Sequence, residues 1–407
     1  MQIMKLEGPD RVRKRPAVIY GSEDIEGAKH AVKDLLDIFV TEAQLGYCKR
    51  LDVTQNGAGI TISADDRGIF LGQETGDDTV WKNLFEDFYC PPTNAPSEDG
   101  YSFCLCDSSH HILYGDPVAP CATLFPEDVG CFELYCAQCV CKVMDVCSVR
   151  NGIKSTLHFE HGHNVGGMIT RNTEDANGTG FYFELDQEVF TQTVLPETFF
   201  LDTLHSFAVL SPGLSCTYTN QETGKSVVFS YPDGAVDYVK SGAGAVVYHK
   251  KIRGQGKERY NSAQYEACLE VTIGPVLGHG NALCFHNFRA LTCGGTHYRQ
   301  MQKKVCKAFN DCFLLYIPES GSNGLKVEMS FEELSKHLSI VLASWCAPRY
   351  SCWENGTRLS IANKTIEDMT CDALAEEFCN YVYDNKELLK PIVDAIVQER
   401  KGFGSGE

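Results

Sequence analysis

The sequence predicts an α+β fold class divided into two domains, and three observations carry that reading. The 407 residues exceed one ordinary core and suit two domains of roughly 200 residues each. In the first half, helical periodicity is followed by strands that would lie to one side of it, as in a two-layer sandwich. From about Val189 a new set of strands and helices begins, which places the expected boundary between a first domain, 1–188, and a second, 189–407.

The elements follow in order. Apolar residues at helical spacing run from Ala28 to Leu45 and stop at Gly46, which reads as an amphipathic helix with a C-terminal stop. Arg50 to Ile62 alternates around Asn56-Gly57-Ala58-Gly59, a hairpin signature. A Cys- and Pro-rich connection from Pro92 to Gly130 has the length of a lid or mobile loop. Gly130 to Val146 is apolar enough for a second buried helix, and strands follow at Leu157–Glu160 and Gly180–Leu185. The second domain is expected to carry strands at Val227–Tyr231, Val246–Tyr248 and Glu266–Ile273, then helices at Tyr298–Leu315 and Cys371–Glu399.

Composition narrows the function classes. Apolar residues at 43% and charged residues at 22% are ordinary for a globular protein. No run of about 18 apolar residues occurs, and the basic opening MQIMKLEGPDRVRKRP has no apolar stretch after it, so the expectation is a soluble, cytoplasmic protein without a membrane partner. The net charge of −18 argues against a surface built to neutralise phosphates, and DNA contact is not expected from it. Two local basic groups stand out: Arg11, Arg13, Lys14 and Arg15, and then Lys250, Lys251, Arg253, Lys257 and Arg259. Of the 20 cysteines, Cys131, Cys136, Cys139, Cys141 and Cys147 are the densest group, with Cys104, Cys106, His110 and His111 shortly before. Cys136, Cys139 and Cys141 are candidate metal ligands, but the paired spacing of a zinc ribbon is missing, and buried packing is the competing reading.

The opening Leu6-x-Gly8-x-x-x-Val12-Arg13-Lys14-Arg15-Pro16 with Tyr20-Gly21 resembles the start of the ATPase domain of DNA gyrase B and its topoisomerase IV counterpart. The similarity continues in order through His30, Val32, Asp37, Glu42-Ala43 and Gly46 to Cys48, then Arg67-Gly68-Ile69, Glu160-His161-Gly162 and Gly178-Thr179. Asn281-x-x-Cys284-Phe285-x-Asn287 and Gly294-Gly295-Thr296-His297 match the family's transducer domain. The resemblance implies a GHKL-type α/β sandwich followed by a ribosomal-S5-like transducer, with ATP and Mg²⁺ as the family's cofactors.

It also assigns roles by position. Asp34 stands where the family has its general-base Glu, one methylene shorter, and Ile38 stands where an Asn holds Mg²⁺. Ala64-Asp65-Asp66-Arg67-Gly68-Ile69 matches the turn headed by the adenine-reading Asp, with Ala64, which cannot accept a hydrogen bond from the base, at that Asp's own place, Asp65 offered by a one-residue shift of register, and Asp66 replacing a turn glycine; Asp65, Asp66, Arg67 and Gly68 are the candidate cofactor-binding residues, with Thr179 and the pocket-rim Arg150. Asp128-Val129-Gly130-Cys131-Phe132-Glu133 falls on the phosphate lid, leaving Gly130 as its glycine and adding acidic and bulky groups. Trp353-Glu354-Asn355 falls on the transducer loop that supplies a Lys, and a three-residue insertion would bring in Arg358 as a possible cation. Little sequence precedes Leu6 and no E-G-D-S-A-G-like run is present, so the resemblance implies a shortened dimer arm, no cleavage (TOPRIM) domain, and no DNA cutting or passage by this chain alone.

Three functions are compatible with these residues. The first is a degenerate ATPase/transducer module, a pseudoenzyme that acts as a homodimer or with a protein partner. The second is an active ATP-binding fragment of a type IIA topoisomerase. The third is a repurposed cleft with new thiol, His or metal chemistry.

Overall fold

The computed structural model describes residues 6–86 except 7, 45, 74, 75 and 77, then 131–243, 247–257, 264–313, 315–317, 325–346, 350–354 and 359–403. Two compact units emerge, Met1–Pro232 and Asp233–Glu407. Among the described residues, no helix is long and apolar enough to cross a membrane.

The first unit contains helices α1 (Asp10–Arg13), α2 (Pro16–Tyr20), α3 (Ile25–Gln44), α4 (Thr79–Phe85), α5 (Cys131–Cys139) and α6 (Glu197–Leu210). Its strands are β1 (Arg50–Asn56), β2 (Gly59–Ala64), β3 (Cys141–Arg150), β4 (Ile153–Glu160), β5 (His163–Asn164), β6 (Ile169–Asn172), β7 (Gly178–Leu185), β8 (Ser215–Asn220) and β9 (Lys225–Ser230). They form one sheet in the order β5-β4-β3-β7-β2-β1-β8-β9, with β6 paired to β4. The expected amphipathic helix is α3, which buries Ala28, Ala31, Val32, Leu35 and Phe39. Phe39 packs on Phe181 of β7 with ring centroids 5.6 Å apart, fixing the helix over the sheet. The hairpin β1-β2 closes at Asn56↔Gly59, with Gly57 at φ +58.

Two expectations change in this unit. The apolar stretch read as helix through Val146 is helical only as far as Cys139; Cys141–Arg150 is a strand paired on both sides, to β4 and β7. A short run that is apolar on every side fits a buried helix and a central strand equally well, and here the sheet decides. The division between units also falls after 188/189, because β8 pairs in parallel with β1 from Arg50↔Ser215 onward and draws 189–232 into the first sheet.

The second unit contains α7 (Ala235–Ala243), α8 (Thr296–Cys312), α9 (Phe331–Ser335), α10 (Lys364–Ala373), α11 (Glu376–Asp384) and α12 (Lys386–Phe403). Its strands are β10 (Tyr248–Lys257), β11 (Gln264–Pro275), β12 (Asn281–His286), β13 (Arg289–Ala290), β14 (Leu315–Ile317), β15 (Leu325–Val327) and β16 (Leu338–Cys346). Five form a sheet ordered β10-β11-β16-β12-β13, and β14 pairs with β15. One core joins Leu269, Val271, Ile340 and Leu342 of the sheet to Met301 and Val305 of α8 and Ile366 of α10. The helix expected over Cys371–Glu399 is instead three helices, broken near Leu374–Ala375 and at Asn385. Gly294 and Gly295 precede α8 at φ +67 and +149, and a Cβ on Gly295 would sit 2.2 Å from the Ile361 carbonyl oxygen, so the glycine pair is a backbone requirement.

Candidate nucleotide-binding site

Helix α3 carries His30, Asp34, Ile38 and Glu42 at four-residue spacing, and such residues share one helical stripe. Each meets a different environment. Asp34 is 19% exposed at its side chain and lies 3.6 Å from His30 Nε2 through Oδ1. Ile38 is 3% exposed and belongs to the core. Glu42 is buried and takes a two-pronged ion pair from Arg67: Nε donates to Oε2 at 3.0 Å and Nη2 to Oε1 at 2.7 Å. The Arg67 guanidinium also lies 3.9 Å from the centre of the Tyr47 ring.

The turn after β2 is held from several sides. Asp65 points outward and accepts the Lys49 and Arg50 amides at 2.8 and 2.7 Å, tying the turn to the start of β1. Asp66 points inward: its Oδ1 accepts the Gly68 amide at 3.1 Å and its Oδ2 accepts the Thr179 hydroxyl at 2.9 Å. The Ile69 amide donates to Thr179 Oγ1 at 3.2 Å, and Arg150 Nη1 donates to the Gly68 carbonyl at 3.0 Å. Gly68 has φ +77, and a Cβ there would stand 2.2 Å from the Val149 carbonyl oxygen. Of the two aspartates offered by the sequence, Asp66 is therefore the one that joins Thr179, Gly68 and Arg150, while Asp65 belongs to the outer staple. The Arg67–Glu42 pair had no local signal in the sequence, since 25 residues separate the partners.

Burial pushes the Asp66 carboxyl up from 3.8 to about 7, and the neighbouring Glu42 charge acts in the same direction. The folded chain holds this proton more tightly than the unfolded chain. The associated stability is complete below about pH 4 and is lost as pH rises through about 7. We expect Asp66→Asn to compare more favourably with the parent chain at pH 8 than at pH 5, as read by urea denaturation. Equal differences at the two pH values would reject the assignment.

The remaining candidate residues separate from this cluster. Cys136, Cys139 and Cys141 are buried, and burial drives the Cys139 thiol up to about 12 and the Cys141 thiol well up. Among the described residues the group able to surround a metal ion is His161, Asp186 and Glu188. A guanidinium already stands there, with Arg13 Nη2 2.6 Å from Asp186 Oδ2 and 3.3 Å from Glu188 Oε2. Gly130 and Arg358 lie outside the described residues.

With this geometry in place, comparison with known proteins decides the ancestry. The chain is 24% identical over 406 residues to the DNA gyrase B protein of Clostridium acetobutylicum, covering 98% of this chain and 58% of that protein. It is 24% identical over 411 residues to the B subunit of DNA topoisomerase 4 from Enterococcus faecalis, covering 98% and 54%. The chain is a divergent relative of these B subunits. Its fold matches the 43K ATPase domain of Thermus thermophilus gyrase B, solved with an aminocoumarin, at a TM-score of 0.62 and 20% identity, covering 97% of this chain and 95% of that one. The B subunit of Myxococcus xanthus gyrase matches at a TM-score of 0.62 and 15% identity, covering 92% and 97%. No family model matches the chain. The gyrase-B-like chain spans just over half the length of the curated relatives it matches.

The donor set of these residues can be set against ATP and Mg²⁺, the cofactors the relationship implies. The turn end carries the Asp66 carboxyl, the Thr179 hydroxyl and the Gly68 carbonyl, the last held by Arg150, while Arg67 is engaged by Glu42. At the α3 end Ile38 is aliphatic, and Asp37 one residue before it is engaged by Lys33 at 2.5 Å. Mg²⁺ takes oxygen ligands in near-octahedral geometry, and Ile38 has no oxygen to supply.

Proposed function

We propose that this chain is a gyrase-B-like ATPase/transducer module that has lost Mg²⁺-dependent ATP hydrolysis and works as a non-catalytic scaffold, as a homodimer or with a protein partner. The observation that carries the reading is Ile38, buried in the core one helical turn beyond Asp34. Hydrolysis in the related enzymes relies on positioning, with the metal bridging the phosphates and a carboxylate orienting water. An aliphatic side chain at the metal's place removes the first requirement. Asp34, shorter than the glutamate it replaces, weakens the second, since a displacement of about 1 Å can cost on the order of a hundredfold in rate. The acidic and bulky residues of the sequence at 128–133 support the same reading, because they oppose a polyanion.

The intact turn favours a ligand nonetheless. Asp66, Thr179, Gly68 and Arg150 form a braced polar cluster, to which we assign the binding of a hydrogen-bonding heterocycle without a metal. Calorimetric titration of the protein with ATP, with and without Mg²⁺, together with phosphate release, tests the proposal. We expect no release above the protein-free rate and no gain in affinity from Mg²⁺. Micromolar, Mg²⁺-dependent binding or steady turnover would return the chain to the active ATPases.

A further inference from the structure

We propose that β10 is a docking edge for an extended, acidic segment of a partner protein, which adds to the five-stranded sheet as a sixth strand. This inference is independent of the function proposed above. β10 is ten residues long and ends the strand order β10-β11-β16-β12-β13. It is bonded to β11 on one side, from Tyr248↔Ile273 to Lys257↔Gln264, and among the described residues no strand pairs with its other side. Every second backbone amide and carbonyl on that side therefore lacks a strand partner among the described residues, and a further strand could pair with them.

The side chains state what kind of chain it would be. His249, Lys251, Arg253, Gln255 and Lys257 alternate on the exposed face, while Tyr248 and Gly256 are buried on the other. Lys251 is answered by Glu270 at 3.1 Å. Arg253 and Lys257 have no ion-pair partner among the described residues, and Glu266 is the exposed carboxylate of the same face on β11, opposite Gln255. A cationic edge on a chain of net charge −18 departs from the overall surface.

Charge also selects among occupants. A second copy pairing antiparallel through β10 would set Arg253 against Arg253 or a nearby cation, and like charges directly opposite are destabilising. Nucleic acid would meet the negative field of the whole chain within a short distance of a narrow cationic strip. An extended segment with Asp or Glu at every second residue repeats its carboxylates at about 6.7 Å, the spacing of alternate side chains along β10, while its backbone completes the ladder. Charged edges block pairing by ordinary apolar strands. The same charges admit a complementary one.

The test uses the full chain and a fluorescein-labelled ten-residue peptide alternating Glu and Val, followed by fluorescence anisotropy. We expect saturable binding that weakens with salt and falls at least tenfold in the Arg253→Glu/Lys257→Glu double variant, whose circular dichroism should match the parent because both side chains are exposed. Two versions of the peptide, each N-methylated on one alternate set of residues, separate pairing from simple attraction. One should lose binding and the other keep it. The proposal is overturned by absence of binding, by an undiminished double variant, by equal binding of both methylated versions, or by tighter binding of a thymidine oligonucleotide of equal charge.

Discussion

Arg67→Ala is expected to cost the first unit about 3–5 kcal/mol, because it leaves the Glu42 carboxylate buried without its partner. Glu42 is 3% exposed at its side chain and Arg67 15%, and both guanidinium contacts are short, so little water replaces what is removed. The surrounding turn sharpens the effect, since Asp66 is packed beside Glu42 and gains repulsion once the cation is gone. For a unit of this size the loss corresponds to a fall in Tm of roughly 6–20 °C. The cause can be isolated by adding Glu42→Gln: removing the stranded charge should recover much of the loss, though the shape of the pair is not restored. A loss below about 1 kcal/mol in urea denaturation would mean that the pair behaves as an ordinary surface salt bridge.

Trp345→Ala should be as damaging in the second unit, at about 3–5 kcal/mol. Trp345 is 1% exposed near the end of β16, opposite Cys268 of β11 and beside the Phe288 ring at 6.1 Å. Truncation leaves a cavity against a strand that is paired on both sides, which cannot close without breaking ladder hydrogen bonds. The indole Nε1 is buried without a hydrogen-bond partner, so Trp345→Phe removes an unmet donor along with some volume. We expect that variant to stay within roughly 1.5 kcal/mol of the parent. A loss for Trp345→Phe as large as that for Trp345→Ala in denaturant titration would overturn this account, since the phenyl ring retains much of the packing.

How far the sequence could be read depended on whether the deciding interactions were local. Helix α3 was legible because its apolar stripe repeats within a single element, and the β1-β2 hairpin because Asn56 to Gly59 closes a turn that few other residues can close. The relationship to the B subunits was legible in motifs whose glycines answer steric requirements, as at Gly68 and Gly295. The end of α5 was not legible, since strand β3 owes its conformation to β4 and β7 on either side. Nor was the division of the C-terminal segment into α10, α11 and α12, whose apolar residues keep a helical period through both breaks.

The sequence by itself determined the relationship of the chain to the B subunits and the two-unit α+β plan, because these follow from residue identity and short-range spacing. Tertiary structure alone decided which aspartate turns inward to Thr179, that Glu42 answers Arg67, and that 189–232 belong with the first sheet. Those outcomes depend on strand register and on charges brought together from distant parts of the chain, and a one-dimensional pattern carries neither.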